Sequence, residues 1–244
     1  VCDHQGVIGA HHVVLGVVLL ASTVAGSVSA GACSRQSRVV PSPAELLARR
    51  AGYPAYWWAA VSAEGAPAWE ILPQAAGPGE VIVSKRHELG LLSNFAAASF
   101  TFHGKRYASL EGFWQMMLYP EGPGDPRAGF PGLEWAYTRD QVAGLTSFEA
   151  KHAGELAEQN MVRMGIAWVS FEGRRFEYRP ARPGEHYALI AAAMREKIRQ
   201  NPDVARVLLA TGDLVLKPDH HEEPNARAAW RYCDILMQIR RELR

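Results

Sequence analysis

Cysteine is scarce in this chain: three in 244 residues, with no CxxC pair. Neither a disulfide framework nor a cysteine zinc knuckle is encoded. Charge of one sign is missing too. Lys and Arg number 26 against 25 Asp and Glu, a net +1, so bulk electrostatics gives no warrant for a nucleic-acid partner. The basic residues are mostly Arg, which suits bidentate phosphate contacts but equally reflects a composition bias. No dinucleotide glycine fingerprint, P-loop, GxSxG elbow or HExxH helix occurs, and these absences remove most enzyme classes that a short motif announces. There is no internal repeat and no low-complexity tract. What is present is ordinary for a globular protein, 48% hydrophobic and 21% charged. A body of roughly 150 residues buries about two thirds of its unfolded surface, enough for a core without disulfides.

The organisation reads as three parts. Residues 1–33 include an uncharged stretch, 13–32 (VVLGVVLLASTVAGSVSAGA). An apolar core followed by small residues is the layout of a secretory signal, too short for a comfortable membrane span. Ala30-Gly31-Ala32-Cys33 resembles a lipoprotein signal, which implies membrane anchoring through a lipidated Cys33. No Lys or Arg precedes the run, only His4, His11 and His12, and a fortuitous apolar helix is the other reading. Residues 34–78 form an Ala/Pro/Gly-rich extension carrying Tyr53, Tyr56, Trp57, Trp58 and Trp69. Such a cluster is expected to pack back onto the domain rather than serve as a binding platform. Residues 79–244 are the body.

Local patterns map the body. Residues 81–83 (VIV) predict a strand. Residues 99–107 (SFTFHGKRY) alternate around His103-Gly104, a two-residue hairpin signal, and 168–178 (WVSFEGRRFEY) predict a second hairpin at Glu172-Gly173. Ser109 opens a helix through about Tyr119, closed by Pro120. Thr138 to Gln141 and Thr146 to Glu149 both have capping-box spacing and predict two more helix starts. Leu189, Ile190, Met194 and Ile198 form a core-facing stripe on a helix over 185–200. Another helix is expected over 202–209 and a last one from about Arg227, opened by Trp230. Helices mixed with short hairpins, without βαβ alternation, argue an α+β fold, mainly helical and in a single domain.

Two local clusters carry possible chemistry. The first, 84–95 (SKRHELGLLSNF), mixes cations, an amide and a hydroxyl as a polar ligand clamp would, yet alone it is an ordinary loop. The second is Ser109-Leu110-Glu111-Gly112-Phe113-Trp114-Gln115. Glu111 and Gln115 are i and i+4 on one helix face, with Trp114 beside Glu111 at i+3. A carboxylate against an aromatic wall has its neutral form favoured, which tunes a Glu for acid–base work. From spacing alone a solvent-exposed Glu on an amphipathic helix is the commoner outcome. The run Asp219-His220-His221-Glu222-Glu223 invites a metal reading, but none of the usual His ligand spacings is present and no metal is assigned. A polar loop lining a sugar pocket and a plain solvated loop are both open.

Together the two clusters resemble the opening signature of the NADAR (NAD and ADP-ribose), or YbiA-like, family: SKR-x-E-L-G-x-L-S-N-F, then F-x-x-x-G-x-x-Y-x-S-x-E-x-x-x-Q. Later pieces follow in order, at Phe148-Glu149-Ala150-Lys151, Met194-x-x-Lys197-x-x-Gln200-Asn201 and Leu208-Leu209-x-Thr211-Gly212-Asp213. The resemblance spans nearly all of the body. It implies a YbiA-like fold and hydrolysis of an N-glycosidic bond to ribose, in an aminouracil ribosyl phosphate or in ADP-ribose attached to guanine. Glu111 is then the catalytic carboxylate, because breaking a C1′–N bond builds positive charge on the ribose that a carboxylate stabilises. Asn94 and Gln115 would fix ribose hydroxyls, and Lys85 and Arg86 the phosphates. Trp114 or Phe95 would stack on the base or simply belong to the core.

The chain departs from the pattern twice. Leu118 stands where many members carry a lysine, with Lys85, Lys105 or Lys151 as spatial stand-ins. The usual D-x-x-W-G segment is missing, with Asp219 and Trp230 filling its roles. A catalytically silent ADP-ribose or nucleotide-binding module, envelope-anchored or not, is therefore the alternative to a hydrolase. No cofactor is implied. The partner is a small-molecule or ADP-ribosylated substrate, with nucleic acid entering only as a modified substrate, and nothing specifies an oligomeric state. The signal-like segment points to an exported or lipid-anchored envelope protein, whereas NAD-derived substrates point to the cytoplasm.

Overall fold

Turn chemistry decides two of the three strand pairs in the computed structural model, which describes residues 42, 50–223 and 225–244. The signal-like segment and Cys33 lie outside the described residues, among which no helix is long and apolar enough to cross a membrane. β2 (Phe100–Phe102) and β3 (Lys105–Tyr107) pair antiparallel, joined by His103 and Gly104 at φ 49° and 77°. β4 (Trp168–Phe171) and β5 (Arg174–Glu177) repeat the arrangement, with Glu172 and Gly173 at φ 51° and 75°. Two consecutive left-handed residues match the twist of the flanking strands, which is why the turn sequence alone predicts both hairpins.

The third pair is not a hairpin. β1 (Glu80–Ile82) runs parallel to β6 (Val215–Lys217), with Val81 opposite Leu216. A parallel pair needs a long crossover, and here most of the body lies between the strands. The strand expected at 81–83 is thus present one residue earlier, but no local pattern encodes its partner, which the sequence did not predict.

The helices follow the sequence more closely. α1 (Leu110–Met116), α2 (Arg139–Ala143), α3 (Ser147–Met164), α4 (Glu185–Gln200), α5 (Pro202–Ala210) and α6 (Tyr232–Glu242) complete the described body. Thr138 and Gln141 form the expected reciprocal capping box on α2. Thr146 is the N-cap of α3 but its hydroxyl makes no capping bond. Ser147 sits at φ 53° and gives its N–H to the Phe95 carbonyl, which ties the helix start to a loop rather than to its own box. Trp230 does not open the last helix; it ends a 3-10 turn, Ala228–Trp230, that precedes it.

α1 is the central element, with residues buried on every side, as expected for a helix that other elements surround. Phe113 meets Tyr107, Phe102 and Phe171 edge-on at 4.9, 5.5 and 5.6 Å. The extension shares this core. Trp57 and Trp58 are buried in it, and the Trp58 indole N–H donates to the Glu80 carbonyl at 2.9 Å.

The later motif residues are fasteners. Lys197 donates to the Ser93 carbonyl at 2.7 Å. Gln200 exchanges two bonds with the backbone of Thr101, and Asn201 donates to the Ser99 carbonyl. Burial pushes the Lys197 ammonium down to about 7.

Candidate functional site

Glu111 reaches its place through a helix of two turns held at both ends. At the start, the Ser109 hydroxyl accepts the Gly112 N–H at 2.9 Å, and the Glu111 N–H is taken by the Asn94 carbonyl at 3.0 Å. At the other end the helix stops earlier than Tyr119. The N–H groups of Met117, Leu118 and Tyr119 turn to carbonyls three residues back, and two arginines take the carbonyls this exposes. Arg127 donates to Met117 and Leu118 at 3.0 and 3.1 Å, and Arg139 donates to Tyr119 at 2.9 Å. These partners supply what a short helix lacks at its C-terminus.

The Glu111 side chain is 7% exposed and faces a cleft of about 890 Å³. Burial raises its carboxyl above the ordinary Glu range. The Gln115 amide, donating to Oε1 at 2.8 Å, opposes that rise, as do the charges of Lys151, Lys85 and His220. Gln115 lies flat against α3, where Gly154 leaves room for it: a Cβ at 154 would come within 1.9 Å of the Gln115 amide oxygen.

Of the residues singled out in the sequence, Lys85, Asn94, Phe95, Glu111, Trp114, Gln115 and Trp230 all line this cleft. Asp219 lies behind it, its carboxylate 2.5 Å from the Lys85 ammonium. Burial raises the Asp219 carboxyl, but the bonds from His220 and Lys85 outweigh that and hold it below its usual value. Arg86 is not among the lining residues; its guanidinium forms a two-point pair with Glu70 at 2.7 and 2.6 Å. Arg86 was expected to meet phosphate, but here its guanidinium is engaged by Glu70 outside the cleft lining. Trp114 gives its indole N–H to the Tyr178 hydroxyl at 3.1 Å and meets Trp230 edge-on at 4.9 Å, so it is at once core and cleft wall.

Leu118 is fully buried and turned into the core, and a lysine in its place would bury a charge rather than deliver an amine. Among the stand-ins, Lys85 and Lys151 line the cleft, Lys151 ion-paired with Glu155. Lys105 is paired with Asp140 and does not line it. His220 and His221 both do.

The sequence reading missed Phe148, Glu155, Glu158, Tyr178 and Arg179, all of which line the cleft. A signal for part of this set exists. Lys151, Glu155 and Glu158 fall at i, i+4 and i+7 on α3, one polar stripe on one face. Tyr178 and Arg179 come from the end of the second hairpin and have no such signature.

No family model matches the chain, and no curated protein matches it. Among solved structures it is similar to the NMR structure of the E. coli protein YbiA, at 18% identity and a TM-score of 0.42 over 72% of this chain and 89% of that one. This is a distant likeness that carries no argument about chemistry.

Proposed function

We propose that the cleft hydrolyses the N-glycosidic bond between a ribose, presented as ADP-ribose or a ribosyl phosphate, and a nucleobase or base-like amine. The observation that carries this reading is Glu111: a buried carboxyl facing a cleft with aromatic walls and cationic neighbours. The order of sequence motifs shared with the NADAR family supports it. In the reaction the C1′–N bond breaks and its electron pair leaves with the base nitrogen, which takes up a proton. Water supplies the hydroxyl to C1′. Positive charge develops on the ribose ring, and the ionised Glu111 stabilises it in a site largely screened from water. In this reading Asn94 and Gln115, which line the cleft, meet sugar hydroxyls, and Lys85 meets an anionic group.

The test is release of base from ADP-ribosylated guanine DNA and from the aminouracil ribosyl phosphate, compared between wild type and Glu111→Gln. No release from either substrate by the wild type overturns the reading. Micromolar ADP-ribose binding without turnover would instead establish the silent binding module, which the buried Leu118 favours.

A pH dependence follows from the same geometry. Glu111 works ionised, so kcat/KM rises with pH through its raised pKa, and the acid limb lies above the ordinary Glu range. Gln115→Leu removes the hydrogen bond that opposes the rise. The limb is then expected to move further alkaline in a kcat/KM profile, and an unmoved limb would show that another group controls it.

A further inference from the structure

One part of the cleft is left unused by this chemistry. Trp69 and Phe148 line it yet are 41% and 51% exposed, unusual for rings of that size beside a buried core. Their centroids are 5.9 Å apart. Phe148 meets Phe95 edge-on at 5.1 Å, and the Lys85 ammonium sits 5.6 Å from the Trp69 ring and 5.1 Å from the Phe95 ring. Three rings and one cation therefore make a contiguous patch on the wall that also carries Asn94.

Trp69 belongs to the extension, outside the segment that carries the sequence motifs, and it is held there by design of the backbone. The Ile71 N–H donates to the Asp219 carbonyl at 2.7 Å, and Glu70 bridges His220 in antiparallel fashion. The Glu70 carboxylate is gripped at two points by Arg86. A bidentate Arg–carboxylate pair fixes orientation as well as distance. These bonds strap residues 69–71 across the loop behind Lys85 and hold the indole over the cleft.

We propose that Trp69 and Phe148 form a stacking platform for the planar heteroaromatic leaving group, a purine-sized ring, with Arg86 and Glu70 as positioning residues for Trp69. The proposal rests on the hydrolase reading for the words "leaving group" but not for the ring site itself. Exposed aromatic faces beside a cation recognise a flat, polarisable ring; an alkylamine offers nothing to stack. The opposite wall of Trp114, Tyr178 and Trp230 is tied down by mutual edge contacts and the Trp114–Tyr178 bond, whereas Trp69 and Phe148 stay about half exposed.

The experiment is calorimetric titration of the full chain with guanosine 5′-monophosphate and, separately, ribose 5-phosphate. Trp69→Ala is expected to weaken guanosine monophosphate by roughly tenfold or more, with ribose 5-phosphate unchanged. Trp69→Phe is expected to retain most of the affinity. Arg86→Ala, which leaves the indole in place but unfastens its strap, is expected to fall between wild type and Trp69→Ala. If Trp69→Ala and Phe148→Ala both bind guanosine monophosphate as wild type does, the platform is refuted. Binding losses in these variants together with a wild type that never releases base refute the hydrolase reading alone and leave the platform standing.

Discussion

Glu111→Gln is expected to lower base release by about 10²–10⁴-fold while leaving ligand binding nearly intact. Gln keeps the size and the acceptor oxygen for Gln115, so the cleft retains its shape and only the negative charge is lost. A charge that meets the developing cation only in the transition state acts on kcat rather than on ground-state affinity. The same variant has a second signature, in stability. Burial holds the Glu111 carboxyl above its ordinary range, so the folded chain binds that proton more tightly than the unfolded chain does. Stability then falls as pH rises from the ordinary Glu range through the raised value, and the full cost is present above it. Glu111→Gln removes the ionisable group, so its Tm should exceed that of wild type at pH 8 and converge with it near pH 4. The difference is about 2–4 °C for each kcal/mol in a domain of this size. A variant less active and more stable at pH 8 is the mark of a residue kept for chemistry at the expense of the fold. One that is less active and less stable would place Glu111 among the structural groups.

Arg127→Met is expected to cost about 3–5 kcal/mol of folding stability, read as a lowered urea midpoint. Arg127 is fully buried. Its guanidinium holds the Asp125 carboxylate at 2.7 Å, the Ser170 hydroxyl at 2.5 Å, and the carbonyls of Met117 and Leu118. Removing it leaves a nearly buried carboxylate without its cation, held only by backbone N–H groups, and uncaps the helix that carries Glu111. Burial raises the Asp125 carboxyl, but the Arg127 bond and two backbone N–H groups overcome that and bring it down to about 2. The contribution of this pair is therefore complete above the ordinary Asp range and is lost as pH falls through about 2. Arg127→Met with Asp125→Asn should recover part of the loss, because no unpaired charge remains. Equal midpoints for wild type and Arg127→Met would show that the pair and the cap contribute nothing net.

Local chemistry explains what could be read in advance. His103-Gly104 and Glu172-Gly173 need only their own backbone preferences to turn a hairpin. The stripe from Leu189 to Ile198 needs only the helical period, and α4 occupies 185–200 as the stripe predicts. Ser109 caps the helix it was expected to open. The face shared by Glu111, Trp114 and Gln115 follows from their spacing, and all three line the cleft. What spacing left open was whether that face meets solvent or a protein wall, because this depends on α3 and the Asp219–His221 loop closing over it from distant parts of the chain.

The same division accounts for each correction. Arg86 carries the charge expected of a phosphate ligand, but Glu70 in the extension claims its guanidinium. Thr146 has the spacing of a capping box, but its hydroxyl makes no capping bond, and the next residue, Ser147, is instead tied by its N–H to the distant Phe95 carbonyl. Leu118 follows α1 by two residues, but the helix has ended and the side chain turns into the core. By itself the sequence determined the hairpins, the helix starts other than that of α6, and the face on which Glu111 sits, since each is set by neighbours within a few residues. The tertiary structure alone decided the pairing of β1 with β6, the burial that lifts the Glu111 carboxyl, and the strap that holds Trp69 over the cleft. Those depend on groups far apart in the chain meeting in a desolvated place, where interactions gain strength that no local pattern can express.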